Sequence, residues 1–296
     1  MSLALTLLGT GTPSPLLYRA GSSYLVMLDG EAILFDCGPA CVQRLLKKGV
    51  PPKCITHLFL THLHYDHCVD YGYLVLNRWD QGIGKIPDLQ VYGPPPLARM
   101  TDLLFSEDGV YGPDLAARAR HPGGEFIYQM RGGTLPRKRP EPIVTEVAHD
   151  NIVEKEGWRV TVAEVVHTQP QLTCLAYRLD TPSGTIVFGG DTAPTPHLTT
   201  LAQDADVLIH MCHLINEVVT DPRITSCCSG HLDAARTARD AKVRTLVLVH
   251  ITEQLERPGI RERILHEAGA VFDGHIIFGE DLLDIPLGPI EPEKLQ

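Results

Sequence analysis

The hexapeptide His62-Leu63-His64-Tyr65-Asp66-His67 restricts this chain more than any other feature, because it puts four metal-ligating residues into six consecutive positions. It follows an apolar run, Ile55–Leu60, that reads as a strand, so Thr61 opens a loop at a strand end. On an extended segment His62 and His64 point to the same side and can grip one ion. Asp66 and His67 come as the loop turns and can grip a second. Imidazole nitrogen with carboxylate oxygen suits zinc, and also manganese or iron. A chance run of surface histidines seldom reaches this density.

Two ions need more ligands than one loop supplies, and a layered fold would gather them at other strand ends. His167 closes the apolar strand Val160–Val166, Asp191 follows Thr185–Phe188 and the turn Gly189-Gly190, and His250 closes Leu246–Val249. Any one of them alone would read as a core or surface residue; three such placements beside the hexapeptide read as ligands. Asp36 also ends a strand and is a candidate to orient a ligand imidazole. His57, His197, His213, His266 and His275 read as structural or exposed.

Along the chain, Leu3–Leu8, Ser23–Leu28, Ala32–Phe35 and Ile55–Leu60 read as strands, with a helix Ala40–Lys48 after Pro39. Tyr71–Trp79 reads as a helix and Leu89–Tyr92 as a strand. Strands resume at Trp158–Val166, Cys174–Leu179, Thr185–Phe188 and Val207–His210. A helix Asp233–Ala241, a strand Val243–His250, a helix Ile264–Ala268 and a strand near Ile276–Phe278 close the chain. Strand pairs first and strand–helix units later fit two sheets between helices. The stretch from about 100 to 145 is rich in Gly, Pro, Arg and aromatics, and reads as a lid insertion in a single domain spanning 1–296.

The 296 residues include 26 Lys and Arg against 36 Asp and Glu, a net charge of −10. Nucleic-acid binding draws on Lys and Arg that displace counterions, so this balance argues against a nucleic-acid partner. The only dense basic run, Arg131–Arg139, reads as a solvated loop. The first residues, MSLALTLLGTGTPSP, lack a basic leader region and read as a strand, and no apolar run approaches a membrane span. The eight cysteines form no Cys-x-x-Cys pair, and the vicinal Cys227-Cys228 suits no tidy disulfide framework, so reduced thiols in a cytoplasm are expected.

These residues resemble the metallo-β-lactamase superfamily, and within it the ribonuclease Z and arylsulfatase-like branch. The likeness takes in Leu8-Gly9-Thr10-Gly11-Thr12-Pro13, Phe35-Asp36-Cys37-Gly38, Thr61–His67, His167-Thr168, Gly189-Gly190-Asp191-Thr192 and His250-Ile251-Thr252. It implies a four-layer αβ/βα sandwich, an α/β fold. It implies that His62, His64 and His167 hold one divalent ion, zinc foremost, that Asp66, His67 and His250 hold another, and that Asp191 bridges the two. His231-Leu232-Asp233 falls where the branch carries a further histidine ahead of a helix, which implies a catalytic, proton-donating His231 beside a catalytic Asp66.

Two departures steer the expected function. The RNA-processing members carry a His-Glu-Ala-Thr motif whose glutamate supports the later histidine; here the stretch reads His210-Met211-Cys212-His213, so Met211, a core residue, replaces that carboxylate. Nor is there the long Gly-rich basic arm with which such enzymes clamp tRNA. The expectation is a hydrolase using a metal-bound hydroxide on a small ester-like substrate: a phosphodiester, an aryl sulfate or a lactone. A homodimer is compatible with it. The alternatives are a ribonuclease Z-type tRNA 3′-endonuclease and, in another class, a metal-bearing regulatory protein with decayed catalysis.

Overall fold

Apolar runs cut by Gly, Pro and Asp become short strands in the computed structural model, which describes residues 2–288. In chain order these are β1 (Leu3–Gly9), β2 (Ser23–Leu28), β3 (Glu31–Phe35), β4 (Ile55–Phe59), β5 (Gln90–Gly93), β6 (Ile143–Glu146), β7 (Ile152–Lys155), β8 (Trp158–Glu164), β9 (Leu175–Thr181), β10 (Gly184–Phe188), β11 (Val207–Met211), β12 (Thr245–Val249), β13 (His275–Phe278) and β14 (Leu283–Ile285). The helices are α1 (Cys41–Lys47), α2 (Tyr65–Cys68), α3 (Tyr71–Gly82), α4 (Leu97–Phe105), α5 (Gly112–Arg120), α6 (Pro122–Met130), α7 (Pro196–Leu201), α8 (Pro222–Thr225), α9 (His231–Asp240) and α10 (Ile260–Gly269).

The strands form two mixed sheets, in the orders β14-β1-β2-β3-β4-β5-β6 and β13-β12-β11-β10-β9-β8-β7. In the first, β3 to β6 are parallel; in the second, β10 to β13 are parallel. Strand alternation sends one set of side chains between the sheets and the other toward helices. Leu5, Leu7, Phe35 and Phe59 of the first sheet meet Tyr177, Phe188, Val247 and Val249 of the second. The Phe35 ring stacks on Phe188 across the interface at 3.8 Å between centroids. Burying a Phe of this kind contributes about 1.5–3 kcal/mol, so this contact helps hold the two sheets face to face.

The outward sets complete four layers. Leu34, Leu58 and Val91 pack on Val42, Leu45, Leu74 and Leu97 of the first helical layer. Leu208, Leu246 and Leu248 pack on Leu198, Ala234, Ala238 and Ile264 of the second. This is the expected αβ/βα sandwich.

The parallel strands of both sheets end at one edge, the usual place for a site in α/β sheets. Bonds there tie the sheets together: Tyr177 donates its hydroxyl to the Leu60 carbonyl at 2.7 Å, and the Leu175 amide donates to the Thr61 carbonyl at 2.9 Å.

Several elements differ from the sequence expectation. Helix α9 starts at His231, two residues earlier than Asp233, and α3 runs on to Gly82. The stretch from 100 to 145 is largely helical. Its prolines signalled loop in the sequence, yet Pro113 and Pro122 sit in the first turns of α5 and α6, where a missing N–H costs nothing. The end of this segment packs on the far end of α3. Arg137 is buried, with its guanidinium 3.7 Å from the Trp79 ring and 4.8 Å from that of Tyr128, and it donates to Asp80 at 3.0 Å. The basic run is therefore in part a structural clasp and not simply a solvated loop. It walls a cavity of about 370 Å³, lined by Trp79, Lys85, Tyr128, Arg137 and Arg139 among others, that none of the seven candidate ligands lines. All eight cysteines are free thiols. Among the described residues no helix is long and apolar enough to cross a membrane.

Candidate metal centre

The centre is built where β3, β4, β10 and β12 stop. Asp36, just past β3, takes a left-handed backbone (φ 58°) and is fully buried. Its carboxylate accepts from the Thr61 amide at 2.7 Å, from the Thr61 hydroxyl at 2.9 Å and from His67 Nδ1 at 2.8 Å. It thus pins the loop after β4 and turns His67 Nε2 inward. Gly38 lies so close to the loop that a Cβ there would collide with the Asp66 carbonyl. His250, just past β12, is also left-handed (φ 59°). Such strained backbone at two residues of one cluster fits a site held by its surroundings.

Seven side chains converge. One donor atom each from His62, His64, His167 and Asp191 lie within 4.8 Å of one another, and so do those of Asp66, His67 and His250. The Asp191 carboxylate reaches both sets: it is 4.0 Å from His62 Nε2 and 3.7 Å from His167 Nε2, and 3.4 Å from His67 Nε2 and 3.1 Å from His250 Nε2. His250 Nε2 is also 3.4 Å from Asp66 Oδ2. The outer ring nitrogens are occupied: His62 Nδ1 by the Thr61 hydroxyl at 3.0 Å, His167 Nδ1 donating to the Cys227 carbonyl at 2.7 Å, and His250 Nδ1 paired with His213 Nδ1 at 3.1 Å. Each ring therefore turns Nε2 toward the others, which is how ligand imidazoles are usually oriented.

The electrostatics follow from burying acids and imidazoles together. Burial pushes His62 well below the ordinary imidazole range and lowers His64 too. Burial also works to lower His67 and His250, but Asp191 overrides it, with Asp36 helping at His67 and Asp66 at His250. His67 ends well above its usual value, and His250 at about 9. Asp191 is held well below the carboxylate range, His250 and His67 outweighing its burial. Asp66 Oδ1 and His67 Nε2 are buried with no hydrogen-bond partner. Such an atom costs about 1–3 kcal/mol unless something satisfies it. One divalent cation held by Asp66, His67 and His250 would satisfy both, and the nitrogen and oxygen donors of His62, His64, His167 and Asp191 suit a second.

A model of the metallo-beta-lactamase superfamily matches residues 17–250, most of the chain. The chain belongs to that superfamily. Like other metallo-beta-lactamase superfamily hydrolases, it is an enzyme, and among its relatives are proteins named Ribonuclease Z. Ribonuclease Z of Mycobacterium bovis (strain BCG / Pasteur 1173P2) is 31% identical over 295 residues, covering 97% of this chain and 99% of that protein. Among solved superfamily structures, the metallo-beta-lactamase fold protein YhfI of Bacillus subtilis matches with a TM-score of 0.72 at 21% identity, covering 96% and 98% of the two chains. The short form of human tRNase Z matches with a TM-score of 0.68 at 20% identity, covering 96% and 99%.

These relatives overturn one expectation. The expectation of a small-molecule partner, with nucleic acid argued away by charge, stands against relatives at 31% identity that are named Ribonuclease Z. The net charge was a poor guide because it averages the whole surface and counts acids, such as Asp36, Asp66 and Asp191, that are buried in the centre. The second argument, the carboxylate lost at Met211, also weakens. Met211 is in the core, as expected, but His231 still has an acid partner: its Nε2 donates to Glu267 of α10 at 2.7 Å.

His231 is fully buried, its Nδ1 lacks a partner, and its hydrogen bond goes to Glu267 and not to the seven. The histidine that sequence reasoning missed is His213. The sequence reads it as structural or exposed; it packs on His250, and burial with that neighbour lowers it to about 4. The available signal was its place just past β11, between two strands that end in Asp191 and His250.

Proposed function

We propose that the chain is a ribonuclease of the Z type: a two-ion phosphodiesterase that cuts precursor tRNA at the 3′ side of the acceptor stem. The end-to-end match to ribonuclease Z, at 31% identity, carries the substrate class. The convergence of seven ligand-type side chains supports the chemistry.

On this reading His62, His64 and His167 hold one ion, Asp66, His67 and His250 the other, and Asp191 both. Zinc suits this nitrogen- and oxygen-rich set, with manganese or iron as alternatives. When bound, such ions lower the pKa of water toward about 7 and neutralise charge on the phosphoryl oxygens. The chain's own groups do the rest. Asp66 would hold its ion and also orient the attacking water. As the proton donor of this reading, His231 would use Nδ1, which has no hydrogen-bond partner, while Glu267 holds Nε2. Asp36, Thr61, His213 and the Cys227 carbonyl fix the ring orientations.

The test is cleavage of a precursor tRNA by the zinc-loaded enzyme. The expected result is a cut releasing the 3′ trailer, with a rate that falls steeply as salt rises, because phosphate contacts release counterions. An enzyme that leaves precursor tRNA intact while hydrolysing small phosphodiesters would refute the RNA reading.

A further inference from the structure

The vicinal thiols set aside in the sequence lie against the metal centre. Cys227 Sγ and Cys228 Sγ are 3.8 Å apart, and both lie within 4.8 Å of one ring nitrogen of His167. Two thiolates on one tetrahedral zinc-like ion, at about 2.3 Å each, stand about 3.8 Å apart. The pair is thus already spaced for chelation.

The backbone holds it there from both sides. The Cys227 and Cys228 amides donate to the Ile224 carbonyl at 3.1 and 3.0 Å, capping α8. Beyond the pair, the Ser229 hydroxyl donates to the Thr192 carbonyl at 2.6 Å, and the Ser229 carbonyl accepts from the His213 amide at 2.9 Å. Cys227 is half-buried and Cys228 nearly closed off, so a small ion can enter while a bulky reagent meets only the first thiol. The other buried cysteines, such as Cys37 and Cys41, lie in the core among Leu8, Leu34 and Val42, with no histidine grouped with them.

We propose that Cys227, Cys228 and His167 form a second metal site, selective for a soft, thiophilic divalent cation such as cadmium, that competes with the hydrolytic centre for His167. Thiolates favour soft ions, whereas the hydrolytic centre offers only nitrogen and oxygen. Binding gives two sulfur–metal bonds, and each thiol releases one proton to solvent. For His167 to serve this ion through Nδ1, its bond to the Cys227 carbonyl breaks and the Nδ1 proton moves to Nε2. Nε2, now protonated, leaves the hydrolytic set. Soft cations would then act as inhibitors from a site next to the centre.

The test is cadmium titration of the zinc-loaded protein, followed by the ultraviolet thiolate-to-cadmium charge-transfer band. The band should rise to saturation at one cadmium per chain, with two protons released. It should vanish in C227S/C228S, weaken in C227S, and persist in C37S/C41S. The single C227S variant, at a half-buried position, keeps the test decisive should the double variant misfold. No band in the wild type would overturn the proposal, as would an undiminished band in C227S or in a folded C227S/C228S.

Discussion

His62, His67, His167 and His250 each give one ring nitrogen to a neighbour and keep the other for the centre, and the neighbours are chemically unlike: a hydroxyl, a carboxylate, a carbonyl and a second imidazole. His231 gives Nε2 to Glu267, outside the seven candidate ligands. General acid help is typically worth about 10²–10⁴-fold. His231→Ala should therefore lower turnover on precursor RNA by about that factor with metal content unchanged, and Glu267→Gln should lower it less. Parallel loss of metal and turnover in H231A would make His231 a ligand; an unchanged rate would make it a bystander. The seven candidate ligands were legible because four are contiguous and three follow apolar strands. Glu267 was not, since it lies 36 residues from His231 on another helix, and no local pattern links the two.

Among the elements, the strands that line the centre could be read to within about two residues, because their apolar runs are short and stop at polar or turn residues. The helices between 97 and 130 could not, because proline signals both a loop and a helix start. Asp80 on α3 anchors the segment that follows them, accepting from Arg131 at 3.1 Å and Arg137 at 3.0 Å. Burial works to raise the Asp80 carboxyl, but these two arginines hold it below the usual range. A depressed folded value means the stabilisation is present above the unfolded value of about 3.9 and fades as pH falls through the folded one. Asp80→Asn should cost about 1–2 kcal/mol at neutral pH, a modest figure because the group is partly exposed. In urea unfolding the gap to the wild type should narrow at acid pH, and zinc content should hold. A gap that stays constant down to low pH would remove Asp80 as the anchor.

At the scale of the molecule, neither sheet holds the centre alone. The first sheet supplies His62, His64, Asp66 and His67, the second His167, Asp191 and His250, and the packing of Phe35 on Phe188 keeps the two edges together. The sequence carried this fold and pointed to the seven side chains that converge, while whole-chain charge misled about the partner, since a sum over the surface says nothing of where charge lies. The claim on which the account rests is that one carboxylate, Asp191, joins two triads into a two-ion centre. Metal content per chain, measured by mass spectrometry on zinc-loaded wild type and Asp191→Ala, tests it most directly. The account predicts about two ions in the wild type and loss from both positions in the variant. A wild type that saturates at one ion, or a variant that keeps two, would contradict it.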